Sequence, residues 1–430
     1  MSSLSHAQLL SATGYRCGVT LPPQEVEITF SDMEGYHNFS VPEDSVQPWK
    51  TASGSMHRDA QVAKVASVCE SLERYAAAMS PFPLSKAHEI NEKIYTYEDC
   101  SLFSEDQYRD ANFEWRKPDY NEAHFTTMFS CLDNSPAWFP HELVGLGPRI
   151  GQPFIPSTST GLAAHTEPFN AMLNATLEVL ERDALSTTWL NSLGGREIEL
   201  SSKYLTQVAA KQGKVYCFDI TQAWNPCPVI IVCGHLPLRG LKRYSMGVAC
   251  RATHEEAIEK AFTEWLQGTV FAGFYFVHHP ELQFHAASDV RDFDEHAVYY
   301  TIYPEKWDEI PLIQYRSKHE LNGYMMQNTR TKYSVHKKRE KYHNRTDVIT
   351  PVLKELRAHG IELYYRHLYL PDLEEVGLTA VRVFSPQLSL IHGDERAPFL
   401  GGRTHDVAWR YPDLEHQKVI FPNPYPHPLG

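Results

Sequence analysis

At 430 residues, with 42% hydrophobic and 22% charged side chains, the chain has the composition of an ordinary globular protein able to bury a sizeable core. A formal net charge of −13 argues against nucleic acid as its main partner, and no apolar run approaches the ~18 residues of a membrane span. The opening MSSLSHAQLLSATGYRCG lacks the basic and then apolar pattern of a secretory signal, and none of the eight cysteines forms a CxxC pair. Reduced thiols in a cytoplasmic protein are therefore expected, rather than a zinc ribbon or a redox pair.

Residues 1–50 hold one alternating stretch, Glu25–Phe30 (EVEITF), between turn-rich segments, which predicts a strand within an N-terminal arm. The small-residue segment Thr51–Ser55 (TASGS) then leads into Ala60–Ala78, AQVAKVASVCESLERYAAA, a predicted apolar helix carrying Glu70, Glu73 and Arg74. Cys69, beside Glu70, reads as a small buried hydrophobe rather than a nucleophile. From Tyr95 to Ile155 the chain looks irregular and aromatic, and GLGPRIG at 145–151 reads as a turn without dinucleotide-binding spacing.

The stretch Pro156–Leu190 repeats the earlier arrangement. A hydroxyl-rich turn (Ser157, Thr158, Ser159, Thr160, Gly161) precedes a helix in which Glu178, Glu181 and Arg182 sit among Leu177, Val179 and Leu180. Glutamates three apart share a helix face, and carboxylates in apolar company need partners. Lys214–Thr221, Pro228–Cys233 and Tyr244–Arg251 look like buried strands leading into a third helix, Glu255–Val270, with Glu264 and Gln267 at the same spacing. Three mostly apolar helices that each bring two oxygen-bearing side chains to one place describe a site for a hard cation such as Mg²⁺, which is usually shared with substrate phosphates. The small-residue turns around Ser55 and around Ser159 and Thr160 would offer backbone amides to phosphate at helix N-termini, the alternative being a plain helix cap.

Asp294, Glu295 and His296 follow in FDEHAVYY, Arg330–Arg345 reads as a solvated basic loop, and Glu362–Leu368 and Thr379–Phe384 as further strands. The last ten residues, FPNPYPHPLG, carry prolines at 422, 424, 426 and 428. They predict a stiff polyproline II tail, either free or docked. No segment reads as a linker, so one large α/β (α+β) domain over 51–430 is expected.

The segments DAQVAKVASVCESLERY, GLAAHTEPFNAMLNATLEVLERDA and GVACRATHEEAIEKAFTEWLQ resemble the three nucleotide-site motifs of YcaO domains. FDEHAVYY, VRVFSPQL and the following LGGR resemble further markers of that family, so the similarity runs from about residue 50 to the end. The resemblance implies a single YcaO-type fold with three ATP/Mg-site helices packed on β-sheet. It implies Glu70, Glu73, Glu178, Glu181 and Glu264 as metal ligands, with Gln267, Arg74 and Arg182 beside the nucleotide. Thr166 and Asn170 stand where that family often has asparagine and an acidic residue, and are the corresponding candidates for nucleotide contact.

Pro424, Pro426 and Pro428 resemble the C-terminal PxPxP of azoline-forming YcaO cyclodehydratases, in which the chain end lies at the active site. That resemblance implies ATP-dependent cyclisation of Cys, Ser or Thr in a precursor peptide, with the carboxylate of Gly430 or the ring of His427 as the proton acceptor. It also implies a separate ubiquitin-activating-like partner that binds the leader peptide, and in some systems a flavin-dependent azoline dehydrogenase. Two alternatives stay open: a YcaO enzyme forming a thioamide or amidine, and a non-catalytic nucleotide-binding scaffold.

Overall fold

Local chemistry sets the ends of the long helices. In the computed structural model, which describes residues 6–26, 35–44, 52–147, 151–318, 346–414 and 420–430, Asp59 caps helix α1 (Ala60–Met79) by accepting the backbone N–H groups of Gln61 and Val62. Helix α2 (Pro168–Leu190) opens on a proline, whose fixed φ suits a first turn. Thr253 caps α3 (His254–His278) and Asp292 caps α4 (Phe293–Ile302). The first two helices match the sequence expectation closely, whereas α3 runs eight residues beyond Val270. No helix among the described residues is long and apolar enough to cross a membrane.

The strands in chain order are β1 (Gln24–Glu25), β2 (His37–Val41), β3 (Ser53–His57), β4 (Phe125–Ser130), β5 (Pro136–Pro140), β6 (Leu162–His165) and β7 (Arg196–Glu197). They continue with β8 (Lys214–Asp219), β9 (Val229–Leu238), β10 (Leu241–Cys250), β11 (Ser317–Lys318), β12 (Tyr364–Leu368) and β13 (Thr379–Phe384). Contacts divide the chain after Val179, within α2, into two units. The first takes the described residues up to 179 and 346–390; the second takes 180–318, 391–414 and 420–430. Because each unit is built from separated stretches, no linker is legible in the sequence.

In the first unit, β1–β2–β3 form an antiparallel sheet under α1. A second antiparallel sheet has the order β5-β4-β12-β13-β6. Val68, Leu72, Ala76 and Ala77 of α1 bury against Leu162 of β6, Leu368 of β12 and Ala380 of β13. Gly161 is required where it stands: its φ is +83°, and a Cβ there would lie 2.0 Å from the carbonyl oxygen of Val383.

The second unit holds the sheet β10-β9-β8-β7-β11, covered on β9 and β10 by α3. The three strands expected at 214–251 are present; β8 stops at Asp219, two residues early, whereas β9 and β10 are longer than predicted. Helix and sheet touch backbone to backbone, since a Cβ on Gly247 of β10 would fall 2.1 Å from the Ala261 carbonyl oxygen and 2.3 Å from the Trp265 nitrogen. Arg410 and Asp183, both fully buried, pair through Nε and a terminal nitrogen at 2.9 and 2.6 Å, tying α2 to the segment before the tail.

Three expectations are corrected. Ser53–Ser55 form part of strand β3 rather than a turn, because pairing with β2 satisfies their backbone; Thr51 lies outside the described residues. The STSTG segment is separated from α2 by strand β6, so its amides are not at the helix start. The region 95–155 contains a hairpin, β4–β5, whose connection carries Asn134 at φ 60°. Most of EVEITF, part of GLGPRIG and the basic stretch 330–345 lie outside the described residues.

Replacing Gly247 with Ala is expected to force α3 off β10 and cost about 1–3 kcal/mol, as overpacking does. Urea unfolding of the variant against wild type checks this; an unchanged midpoint would contradict the close packing.

Candidate functional site

Helix α1 projects Glu70, Glu73 and Arg74 from one face, and local bonds fix two of them. Glu70 Oε2 accepts the Gly54 amide at 3.2 Å and its Oε1 pairs with Arg74 at 2.9 Å, while Arg74 also donates to the Ala52 carbonyl at 2.8 Å. Strand β3 thereby sets both side chains. Glu73 has a different environment. Its carboxyl is pushed up to about 8, first by loss of water and then by the charges of Glu178 and Glu70, against the pull of Arg74 and of the Ala164 backbone N–H. The first unit therefore brings Glu70, Glu73 and Glu178 together. Cys69 is pushed up to about 12 by burial and by Glu73, so its thiol stays protonated and unreactive.

The remaining first-unit candidates cluster around β6. Asn170 is buried, and its amide nitrogen lies 3.2 Å from His165 Nε2; Thr166 lies 3.5 Å from His165 Nδ1. Thr160 is buried and bonded to Thr158, whereas Ser159 is exposed. Ser55 stands opposite Phe39 in the β2–β3 pair.

In the second unit, buried Glu181 accepts the Cys250 amide at 2.9 Å, at the end of β10, and lies 3.7 Å from Arg182 Nε. Glu264 pairs with Lys260 at 3.0 Å, and Gln267 follows one turn later on α3. Among the described residues no three His, Cys, Asp or Glu side chains meet in a geometry that would hold a metal by themselves. Mg²⁺ does not ask for this, since it keeps waters and substrate phosphates in its shell. The test of fit is Glu73: crowded carboxyls of like charge, with one pushed toward its neutral form, are relieved by a cation.

The tail is docked. Asn423 N–H donates to the Leu190 carbonyl at 2.9 Å, Trp189 Nε1 to the Tyr425 carbonyl at 2.6 Å and the Tyr300 hydroxyl to the Pro426 carbonyl at 2.7 Å. Pro422 and Pro424 are exposed, Pro426 through Leu429 are buried, and Gly430 is exposed again. The His427 ring donates from Nε2 to the His392 carbonyl at 2.7 Å and stacks on His296, with centroids 3.8 Å apart. Sequence reasoning singled out His296 only as part of a marker, and it missed Trp189, Tyr300, His392 and Glu395. Tail and partners lie far apart in the chain, and nothing local signals the pairing.

Burial lowers His296 to about 4, outweighing the pull of Glu395, and lowers His427 well below its ordinary 6.5, with His296, His392 and Arg182 adding to the effect. Glu395 is held below its ordinary value although burial opposes it; His392, His296 and the His427 backbone N–H favour its charge, and Asp292 stands nearby on the His296 side. The docked tail thus binds fewer protons than a released one. Docking is favoured above 6.5 and weakens as the pH falls from there toward about 4. Amide exchange of residues 423–430, corrected for intrinsic rates, is expected to rise over that window while β8–β10 stay protected; flat exchange would contradict it.

A family model described as YcaO cyclodehydratase, ATP- and Mg²⁺-binding, matches residues 56–389, more than half of the chain. No curated protein matches in sequence to a significant degree. Among solved structures, a heterocyclase in complex with substrate and cofactor aligns at TM-score 0.76 and 17% identity, covering 98% of this chain and 57% of that one. The heterocyclase TruD aligns at 0.60 and 18%, covering 85% and 50%. YcaO from Methanopyrus kandleri, bound with AMPPCP and Mg²⁺, aligns at 0.58 and 14%, covering 85% of both chains. The chain thus spans about half the length of the first two structures, and these likenesses speak to the fold. By its family model, and with a fold that agrees, the chain belongs to the YcaO family.

Proposed function

We propose that the protein is an ATP-dependent peptide cyclodehydratase that turns Cys, Ser or Thr residues of a ribosomally made precursor peptide into thiazoline or oxazoline rings. The observation that carries this reading is the carboxyl cluster of Glu70, Glu73 and Glu178, which lies within the family-matched residues and has the electrostatics of a cation site. In this reading Glu70, Glu73, Glu178, Glu181 and Glu264 hold Mg²⁺, and Arg74, Arg182, Gln267, Asn170, Thr166, Thr160, Ser159 and Ser55 face the nucleotide. Bound Mg²⁺ supplies charge neutralisation on the phosphates of ATP.

The peptide chemistry makes plain what the chain's own groups must do. A thiol or hydroxyl of the substrate adds to the preceding carbonyl carbon and gives up its proton. The former carbonyl oxygen takes the γ-phosphoryl group of ATP and leaves as phosphate, while the amide nitrogen loses its proton to close the C=N bond. Residues of the site position the reacting groups and stabilise charge, and a base accepts the protons. The exposure of Gly430 and the burial of His427 support the terminal carboxylate as that base, with His427 an anchor. The docked tail supports azoline formation over the thioamide or amidine alternatives. A leader-binding partner protein completes the system, with a flavin-dependent dehydrogenase where azolines are oxidised.

Mass spectrometry of the cognate precursor peptide, incubated with the protein, Mg·ATP and a leader-binding partner, is expected to show loss of one water per ring. Glu178→Ala is expected to slow this by about 100-fold or more, and a chain ending at Pro422 to abolish it. Exchange of oxygen for sulfur would indicate a thioamide instead. Unmodified peptide would move the reading to the scaffold alternative, and rings formed equally by Glu178→Ala would overturn the site assignment.

A further inference from the structure

Between α4 and the segment before the tail lies a group of buried polar side chains to which neither the nucleotide nor the peptide chemistry gives a role. His296, fully buried, donates from Nδ1 to the His427 carbonyl at 2.8 Å and lies 9° from parallel with the His427 ring. One turn later Tyr300, also buried, donates to the Pro426 carbonyl. Glu395 lies 3.3 Å from His392 Nε2 and 3.6 Å from His296 Nε2, and accepts the backbone N–H of His427. His392 in turn accepts the His427 ring through its carbonyl.

Residues 426 and 427 therefore have their backbone carbonyls, the one available backbone N–H and a ring nitrogen all committed. A slip of the tail by one residue would break these bonds together, and each buried polar group left without a partner is costly. The seat also constrains residues 429 and 430. Leu429 is buried, and a Cβ on Gly430 would lie 2.6 Å from the Ala297 Cβ on α4. Gly430 sits against α4 with no room for a side chain.

We propose that His296, Tyr300 and Glu395 are positioning residues that fix the register of the C-terminal tail and thereby the placement of the Gly430 carboxylate. This rests on the reading above only for its consequence in turnover. The clamp is a property of the second unit and can be measured without the reaction. None of the three needs to touch substrate; they act through the tail.

The test uses the full-length protein at neutral pH, as wild type, His296→Ala, His296→Asn, Tyr300→Phe and Glu395→Gln. Intact mass follows the rate at which a carboxypeptidase shortens each chain. His296→Ala and Glu395→Gln are expected to be shortened about tenfold faster than wild type, and Tyr300→Phe severalfold faster. His296→Asn, which keeps an N–H donor near the His427 carbonyl, is expected to recover part of the loss. Tyr300→Phe removes one hydroxyl from a packed ring, so it reads the clamp even if His296→Ala fails to fold.

With precursor peptide and partner present, peptide-dependent phosphate release is expected to fall in kcat by roughly 100-fold for His296→Ala, as a misplaced catalytic group does, with KM for the peptide and affinity for a non-hydrolysable ATP analogue unchanged. Wild-type shortening rates in every variant would overturn the clamp. Wild-type kcat from a His296→Ala chain whose end is freed would overturn its role in positioning. If wild type itself releases no phosphate, the cyclodehydratase reading falls and the shortening rates alone decide the clamp.

Discussion

A buried carboxyl, Glu73, that feels the like charges of Glu70 and Glu178 is the constraint around which the first unit is arranged. Glu73 sits near Glu70 and Glu178, and one arginine, Arg74, is already committed to Glu70 and to the Ala52 carbonyl. Like charges so placed destabilise the folded state, and a cation bound there would offset the repulsion. The apolar side of the same helix makes the arrangement affordable: Val68, Leu72, Ala76 and Ala77 bury against β6, β12 and β13 and hold the acidic face in place. Packing thus stabilises an electrostatic arrangement that would not form by itself.

The second unit solves a different problem, that of holding its proline-rich tail still. A proline-rich segment has few N–H groups of its own and pays little entropy to be extended, so it can be fixed by a few donors aimed at its carbonyls. Trp189, His296 and Tyr300 supply them. The consequence is that His296 and His427 are buried and held below their ordinary range, which makes docking depend on pH. α3, pressed onto β10 at Gly247, and the Arg410–Asp183 pair give this unit the rigidity such a seat needs.

Much of this was legible in the sequence, for reasons that differ by element. α1 and α2 could be read because apolar residues recur at helical spacing and the paired glutamates stand out against them. Strands β8 to β10 could be read because each carries a largely apolar run, densest in β-branched residues at Val229–Val232 of β9. The hairpin β4–β5 was hidden in a stretch whose Pro, Asn and aromatic residues suggested irregular structure; its strands pair with each other across a short connection, and β4 pairs in addition with the distant β12. The TASGS segment was misjudged because turn propensity is overridden where a neighbouring strand satisfies the backbone, as β2 does for β3, and the STSTG segment because strand β6 intervenes before α2. Of the candidate site, the carboxylates on the helices were visible as a spacing, but the crowding around Glu73 needed β6 and α2 in place. His392, Glu395 and Tyr300 carry no local signature at all.

Titration of a non-hydrolysable ATP analogue into wild type and Glu73→Gln, with and without Mg²⁺, tests the central claim most directly when paired with the thermal midpoint of the unliganded proteins. If the carboxyl cluster is a cation site, wild type binds only with Mg²⁺, and Glu73→Gln loses about tenfold or more in affinity while its midpoint holds or rises, because a source of repulsion has gone. Equal affinity in the two proteins, or binding indifferent to Mg²⁺, would contradict the account.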